Sequence, residues 1–259
     1  MALVEVQDSG PVRHVVLNRP EKRNALNDEV CAGLGEAFEE AAADDSVRVV
    51  VLRGEGAMFS SGMDLGNLRA LSENPDTLRP FRAELLRWWN LLEEMPKATI
   101  AQIHGAAIGG AMELALACDM RVMAEDAVTG MLEARIGLIP DVGGSSRLPA
   151  VVGLGVAKEL IMTGKLIDGH EAYRIGFANR IAPADELDAA TEQLANELLA
   201  CAPRAVALAK RVLDAAAKPL LDESLEREVD AQEQLAGSAD FAEGTAAFLD
   251  KRQPEFAGR

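Results

Sequence analysis

Apolar residues fall in short unbroken runs through the first half of the chain and in spaced helical stripes through the second. SVRVVVLRG (46–54) and ATIAQI (98–103) read as strands buried on both faces. LVEVQ (3–7) and VRHVVL (12–17) read as paired strands around the turn Asp8-Ser9-Gly10-Pro11. Asn27 or Asp28 can cap a helix running to about residue 43, with Val30, Leu34 and Phe38 on one face. Residues 55–65 form a glycine-bounded irregular segment, and SENPDTLRP (72–80) reads as a long loop. An amphipathic helix then runs from about Phe81 to Glu94, carrying Trp88 and Trp89, and Pro96 ends it. MRVM (120–123) is a short strand, and residues 128–149 are rich in turn formers. Helical stripes cover 156–163, 170–175, 184–200, 203–216, 219–236 and 239–250, interrupted by a short strand in FANRIAP. This shift of pattern predicts a strand-rich unit over 1–200 and a helical region over 201–259. A helical tail of this size covers its own domain or a sister subunit.

The stretch HGAAIGGAMELALACD (104–119) joins a buried strand to a helix through Gly109 and Gly110. The start of a helix leaves backbone N–H groups unpartnered and carries partial positive charge. Without a side chain at Gly110, another molecule can approach that N–H. Glu113 follows three residues later on the same face. It is either half of a capping box, although Gly110 stands where Ser or Thr would be needed, or an acid/base beside an oxyanion donor. An echo strengthens the second reading. VVLRGEGAMFSSG (50–62) and IAQIHGAAIGG (100–110) share the plan strand, glycine, small residues, glycine. Stacked side by side, two such turns would bring the N–H groups of Met63 and Gly110 together, and two convergent donors make an oxyanion hole.

Composition narrows the function. With 26 basic against 42 acidic residues the net charge is −16, which argues against nucleic acid and anionic membrane as partners. The N-terminus lacks a signal-peptide pattern, and no run reaches the length of a membrane span. Cys31, Cys118 and Cys201 have neither disulfide nor metal spacing, so no metal is expected and the cytoplasm suits the chain. Against the acidic background, NRPEKRNALN carries Arg19, Lys22 and Arg23, either a solvated loop or a place for a phosphate. Glu133 lies among Met131, Leu132 and Ile136, either with a raised pKa or paired with Arg135 or Arg147.

In order along the chain, LNRPEKRNALN, FSSGMDL, IGGAMELALACD, LEARIGLIPDVGGSSRLP and EGTAAFLDKRQPEF resemble the enoyl-CoA hydratase/isomerase (crotonase) family. The resemblance runs nearly end to end. It implies an α/β fold, a spiral of ββα turns with a C-terminal helical oligomerisation region, assembled as a homotrimer or a dimer of trimers. It implies Met63 and Gly110 as oxyanion donors and Glu113 and Glu133 as the two catalytic glutamates. It implies Lys22, Arg23, Ala25, Ser61, Asp64, Leu65 and Gly109 along an acyl-CoA thioester. Phe248 and Lys251 match a C-terminal pair that reaches the coenzyme A of a neighbouring subunit. Coenzyme A is then part of the substrate, and no separate cofactor is expected. The reaction implied is syn addition of water to a 2-enoyl-CoA, giving a 3-hydroxyacyl-CoA.

Two departures stand out. Asp141 occupies PDVGG where hydratases of the family tend to have Gly. A dienoyl-CoA isomerase of the family has an Asp at this spacing, so 3,2-enoyl-CoA or dienoyl-CoA isomerisation is the alternative; otherwise Asp141 caps the helix that follows. Ser60 and Ser61 replace small apolar residues. A thioesterase-like pairing of Ser61 with His104 and a noncatalytic thioester-binding role complete the set of readings. Trp88 and Trp89 belong either to the core or to an acyl pocket.

Overall fold

The computed structural model describes residues 2–258. Its first strands, β1 (Val4–Ser9) and β2 (Val12–Leu17), form the expected antiparallel hairpin. α1 (Asp28–Ala43) follows, capped by the Asn27 side chain, which accepts a hydrogen bond from the Val30 amide at 3.0 Å. Next come β3 (Val49–Gly54), α2 (Leu65–Glu73), α3 (Leu78–Glu94), β4 (Ala98–Ile103), β5 (Ala106–Ile108) and α4 (Gly110–Leu116). The chain continues through β6 (Met120–Ala124), β7 (Val128–Gly130), α5 (Gly144–Val152), α6 (Leu154–Thr163), β8 (Ile167–Asp168), α7 (Gly169–Arg174), β9 (Arg180–Ala182) and α8 (Leu187–Leu199). It ends in α9 (Pro203–Ala217), α10 (Leu221–Ala236) and α11 (Ala239–Leu249).

A six-stranded sheet has the order β1-β2-β3-β4-β6-β9, parallel from β2 onward, and a three-stranded sheet has the order β5-β7-β8. β4 passes into β5, and β6 into β7, so these two turns of chain each give one strand to each sheet before a helix or helical turn closes them. The corner after β4 is Gly105, at φ +59°, where a Cβ would stand 2.1 Å from the Ala57 carbonyl oxygen. This is the spiral of ββα turns. All six residues of β4 and residues 49–52 of β3 are buried, as unbroken apolar runs in parallel strands should be.

The structure differs from the sequence pattern in three places. Much of the segment read as loop is helical: α2 ends at Glu73, a 3-10 turn spans Pro75–Thr77, and α3 begins at Leu78. Pro80 is tolerated there because the first turn of a helix has N–H groups without intrahelical partners. Gly144–Val152 is a helix despite Pro149 and its glycines. The strands β5, β7 and β8 are two or three residues long, too short to show alternation. Trp88 and Trp89 both lie in the core, Trp88 packed so closely on α1 that a Cβ at Gly35 would fall 2.3 Å from its indole.

α9 is tied down through Lys210, whose Nζ lies 3.0 Å from the Asp119 carboxylate and 3.1 Å from the Lys97 carbonyl. Its Leu208, Val212 and Leu213 are exposed. α10 and α11 pack back over the strand-rich part of the same chain. A Cβ at Gly244 of α11 would lie 2.6 Å from the backbone of Ile136, so the helix rides directly on that turn. Among the described residues no helix is long and apolar enough to cross a membrane.

Candidate active site

Two glycine-bounded turns end side by side. Beyond β3, the Phe59 amide donates to the His104 carbonyl at 2.9 Å and the Ser60 amide to the Ala106 carbonyl at 3.0 Å. Leu26 and Asp64 stitch the first turn to the basic loop, through Leu26 N to Gly62 O at 2.8 Å and Asp64 N to Leu26 O at 3.0 Å. Gly62 has φ +88°, and a Cβ there would stand 2.3 Å from the Ile108 carbonyl oxygen and 3.5 Å from the Gly110 nitrogen. Only glycine permits this approach. The Met63 nitrogen lies 3.8 Å from where a Cβ on Gly110 would sit. Among the described residues neither the Met63 nor the Gly110 N–H finds an acceptor. The two donors therefore adjoin each other, which the repeated strand-turn plan had predicted.

Both glutamates flank these donors. Glu113 lies on α4, is 2 % exposed, and its Oε1 accepts from the amides of Val142 at 3.0 Å and Gly144 at 2.9 Å. These partners lie outside its own helix, so it is no capping box. Glu133 opens a 3-10 turn, Glu133–Ile136; its Oε1 would be 2.6 Å from a Cβ on Gly109, and its Oε2 is enclosed with no hydrogen-bond partner. It does not pair with Arg147, which instead binds Glu93 at 2.7 Å, nor with Arg135, which lies along Gly164.

Burial raises the pKa values of this group of carboxyls. Glu113 is pushed well above the ordinary glutamate range by loss of solvent and then by the charges of Glu133, Asp141 and Glu228. Desolvation lifts Glu133 to about 7. Asp141 is also lifted to about 7 by burial, against the pull of Arg82. Carboxyls so close together share protons rather than ionise independently.

Asp141 does not cap α5. That role falls to Gly143, at φ +102°, with no side-chain cap, because the two residues between Asp141 and the first helical turn carry the chain past it. Asp141 instead lines the same cavity as Glu113 and Glu133, its Oδ2 3.8 Å from Arg82 Nε. The cavity measures about 470 Å³ and is mostly apolar, with Leu68, Leu71, Phe81 and Leu85 from α2 and α3 among its walls.

A family model described as enoyl-CoA hydratase/isomerase matches residues 7–259. A probable mitochondrial enoyl-CoA hydratase 2 of Arabidopsis thaliana is 37 % identical over 97 % of this chain and 83 % of its own length. A crotonyl-CoA hydratase of Syntrophomonas wolfei is 34 % identical over 94 % of this chain and 93 % of its own. A solved enoyl-CoA hydratase/isomerase from Xanthobacter autotrophicus Py2 superposes with a TM-score of 0.88 at 34 % identity, covering 96 % of this chain and 93 % of that one. The chain belongs to the enoyl-CoA hydratase/isomerase family.

Within that family frame, the residues expected along a coenzyme A thioester divide. Ser61, Met63, Leu65, Gly109, Gly110 and Phe248 line the cavity. Arg23 and Ala25 run beside the first turn, where the Arg23 carbonyl accepts from the Ser61 amide at 3.0 Å and the Ala25 carbonyl from Arg19 Nη1 at 3.2 Å. Lys22 and Lys251 are exposed and stand outside the cavity wall. Asp64 is occupied structurally: it caps α2 through the Gly66 amide at 2.8 Å and pairs with Arg19 at 2.7 Å, which holds its carboxyl below the ordinary range. Phe248 lines the cavity of its own chain, because α11 folds back over residues 133–136. His104 turns away from chemistry: its Nε2 lies 3.0 Å from the Gly56 carbonyl oxygen, and among the described residues no hydrogen bond joins it to Ser61. The thioesterase-like pair is therefore not assembled.

Of the lining residues of α2 and α3, sequence reasoning named Leu65 and missed the rest. Leu65, Leu68 and Leu71 recur at helical spacing and carried the signal. It also missed Arg82, Glu228 and Gln232, which are buried polar residues set in charge-rich helical stripes that read as solvated faces.

Proposed function

We propose that the protein is an enoyl-CoA hydratase that adds water syn across the double bond of a 2-enoyl-CoA, giving the 3-hydroxyacyl-CoA. One observation carries the reading: the buried Glu113 and the half-buried Glu133, whose Oε2 is enclosed without a partner, flank two adjacent, unpartnered backbone N–H donors. The thioester oxygen accepts from the Met63 and Gly110 N–H groups. Water held between Glu113 and Glu133 gives a proton to one carboxylate as its oxygen bonds to Cβ. A carboxyl proton passes to Cα, and the enolate charge on the thioester oxygen collapses back to a carbonyl. One such N–H donor typically lowers the barrier by about 2.7–4 kcal/mol. Glu113 is held through Oε1 by two amides, which leaves Oε2 for the water; Glu133 Oε2 has no protein partner to compete with a reactant.

The thioester would lie with its acyl group among Leu68, Leu71, Phe81 and Leu85. Its coenzyme A part would pass Leu65 and Asp64 toward Lys22, Arg23 and Ala25, with Phe248 and Lys251 closing from the C-terminal side. Coenzyme A is carried by the substrate, and the residues ask for no further cofactor. The exposed Leu208, Val212 and Leu213 of α9 support self-association as a homotrimer or a dimer of trimers. The free thiols of Cys31, Cys118 and Cys201 suit the cytoplasm.

A second reading, 3,2-enoyl-CoA or dienoyl-CoA isomerisation, is favoured by Asp141, which lines the cavity with Glu113 and Glu133. The test is loss of the conjugated absorbance of crotonyl-CoA with the wild type, Glu113→Gln and Glu133→Gln. Turnover that collapses in both variants supports the hydratase. A folded, thioester-binding protein without turnover overturns it and moves the test to 3-enoyl and dienoyl thioesters with Asp141→Asn.

A further inference from the structure

Residues 142–146 contain an unusual concentration of backbone donors aimed at side chains. The Val142 and Gly144 amides donate to Glu113 Oε1. The Gly143 amide donates to Glu228 Oε2 at 2.9 Å, and the Ser146 amide to Glu228 Oε1 at 2.6 Å. Neighbouring amides of one turn are thus divided between two carboxylates from two helices, α4 and α10. Glu228 is 4 % exposed and does not line the cavity. Its remaining charged neighbour is Arg82, whose Nη2 stands 3.5 Å from Glu228 Oε2 while Nε faces Asp141. One helical turn further along α10, the Gln232 Oε1 accepts from the Ile139 amide at 3.0 Å. The same face of α10 therefore holds the chain at Ile139 as well as at Gly143 and Ser146.

We infer that Glu228 is a positioning residue for Glu113, holding the 142–146 turn so that its other amides fix the Glu113 carboxylate. Arg147 Nη1 also donates to the Val142 carbonyl at 3.2 Å and the Ser145 hydroxyl to the Pro140 carbonyl at 2.8 Å, but Glu228 is the acceptor for the Gly143 and Ser146 amides, on either side of Gly144. Two of its five residues are glycines, and Gly143 sits at φ +102°. Without Glu228, two buried donors lose their acceptor and the turn relaxes toward another arrangement. Glu113 then loses the geometry of its own two donors. A carboxylate displaced by an ångström costs a rate out of proportion to the stability lost. The inference rests on the reading of Glu113 as a catalytic residue, and its test separates the two.

The variant is Glu228→Gln, which keeps the shape but offers one acceptor oxygen instead of two. Residue-resolved amide hydrogen exchange on the full-length protein needs no substrate. The expected result is protection falling about tenfold at Val142 and Gly144 as well as at Gly143 and Ser146, with core-strand protection retained. Faster exchange confined to Gly143 and Ser146 overturns the inference, since Glu228 would then only tie α10 to the fold. Steady-state hydration of crotonyl-CoA gives the second arm. kcat is expected to fall about tenfold or more with KM nearly unchanged, and the same substitution should cost little further in a Glu113→Gln background. Equal losses in both backgrounds overturn the inference. A wild type that hydrates nothing while the four amides still respond together would refute the proposed function and leave the positioning role standing.

Discussion

The Gly144 amide reaches Glu113 Oε1 at 2.9 Å, and a Cβ on Gly144 would stand 2.7 Å from that same oxygen. The residue that orients the carboxylate is also the one that must have no side chain. Gly144→Ala is therefore expected to push Glu113 aside and lower kcat for crotonyl-CoA by roughly tenfold to a hundredfold. The same Cβ would stand 2.6 Å from the Pro140 Cβ, so some stability should be lost as well, though less than the loss of rate. Paired kinetics and melting curves check this; a parallel fall in both would show general unfolding.

Glu133 gives a pH prediction whose sign is fixed. Its carboxyl ordinarily titrates near 4.5 and is lifted to about 7 in the fold by burial. Between those values the unfolded chain has released the proton and the folded chain still holds it. Stability from this group is complete below the lower value and is lost as pH rises through the upper one. Glu133→Gln removes the titration. It should melt above the wild type near pH 8, and the gap should close near pH 4. A gap independent of pH would refute the assignment.

Lys210 and Asp119 form a largely buried pair at 3.0 Å that seats α9 against the end of β4. Burial raises the Asp119 carboxyl despite the ammonium beside it. Lys210→Met leaves that part-exposed carboxylate with only the Thr99 amide and hydroxyl as partners and should cost about 1–3 kcal/mol by chemical denaturation. Adding Asp119→Asn should recover part of the loss, because the stranded charge is gone.

The exposed α9 face offers a test of assembly. Leu213 is 67 % and Val212 69 % exposed. A Val212→Glu, Leu213→Glu double variant should shift the particle mass by light scattering toward the single chain while leaving the far-ultraviolet circular dichroism intact. An unchanged mass would remove α9 from the interface.

Much of this was legible in the chain. The unbroken runs of β3 and β4 can only be strands buried on both faces, and the repeated strand-glycine plan placed Met63 beside Gly110. Glu113 was legible because helical geometry fixes where a residue three after Gly110 must lie. Glu133 was visible as an acid among apolar neighbours, but its lack of an ion pair was not, since sequence alone offered both Arg135 and Arg147 as partners. Asp141 was misread as a cap because local spacing cannot show that Gly143 takes that role. The extension of α5 beyond SSRLP to Val152 was hidden by Pro149, and β5, β7 and β8 by their brevity. Glu228 left no local trace: its role exists only because α10 returns over a turn far away along the chain.

The two N–H donors proposed to hold the thioester oxygen belong to the main chain, which separates what inheritance can change from what it cannot. Almost any codon at position 63 still encodes an N–H at that spot; proline alone deletes it. Variation at 63 can therefore reshape the acyl wall and redirect substrate choice in single steps. Gly62 has no such latitude, because every other amino acid collides with the Ile108 carbonyl. Lineages descending from this sequence would drift in what they bind long before they drift in what they do to it.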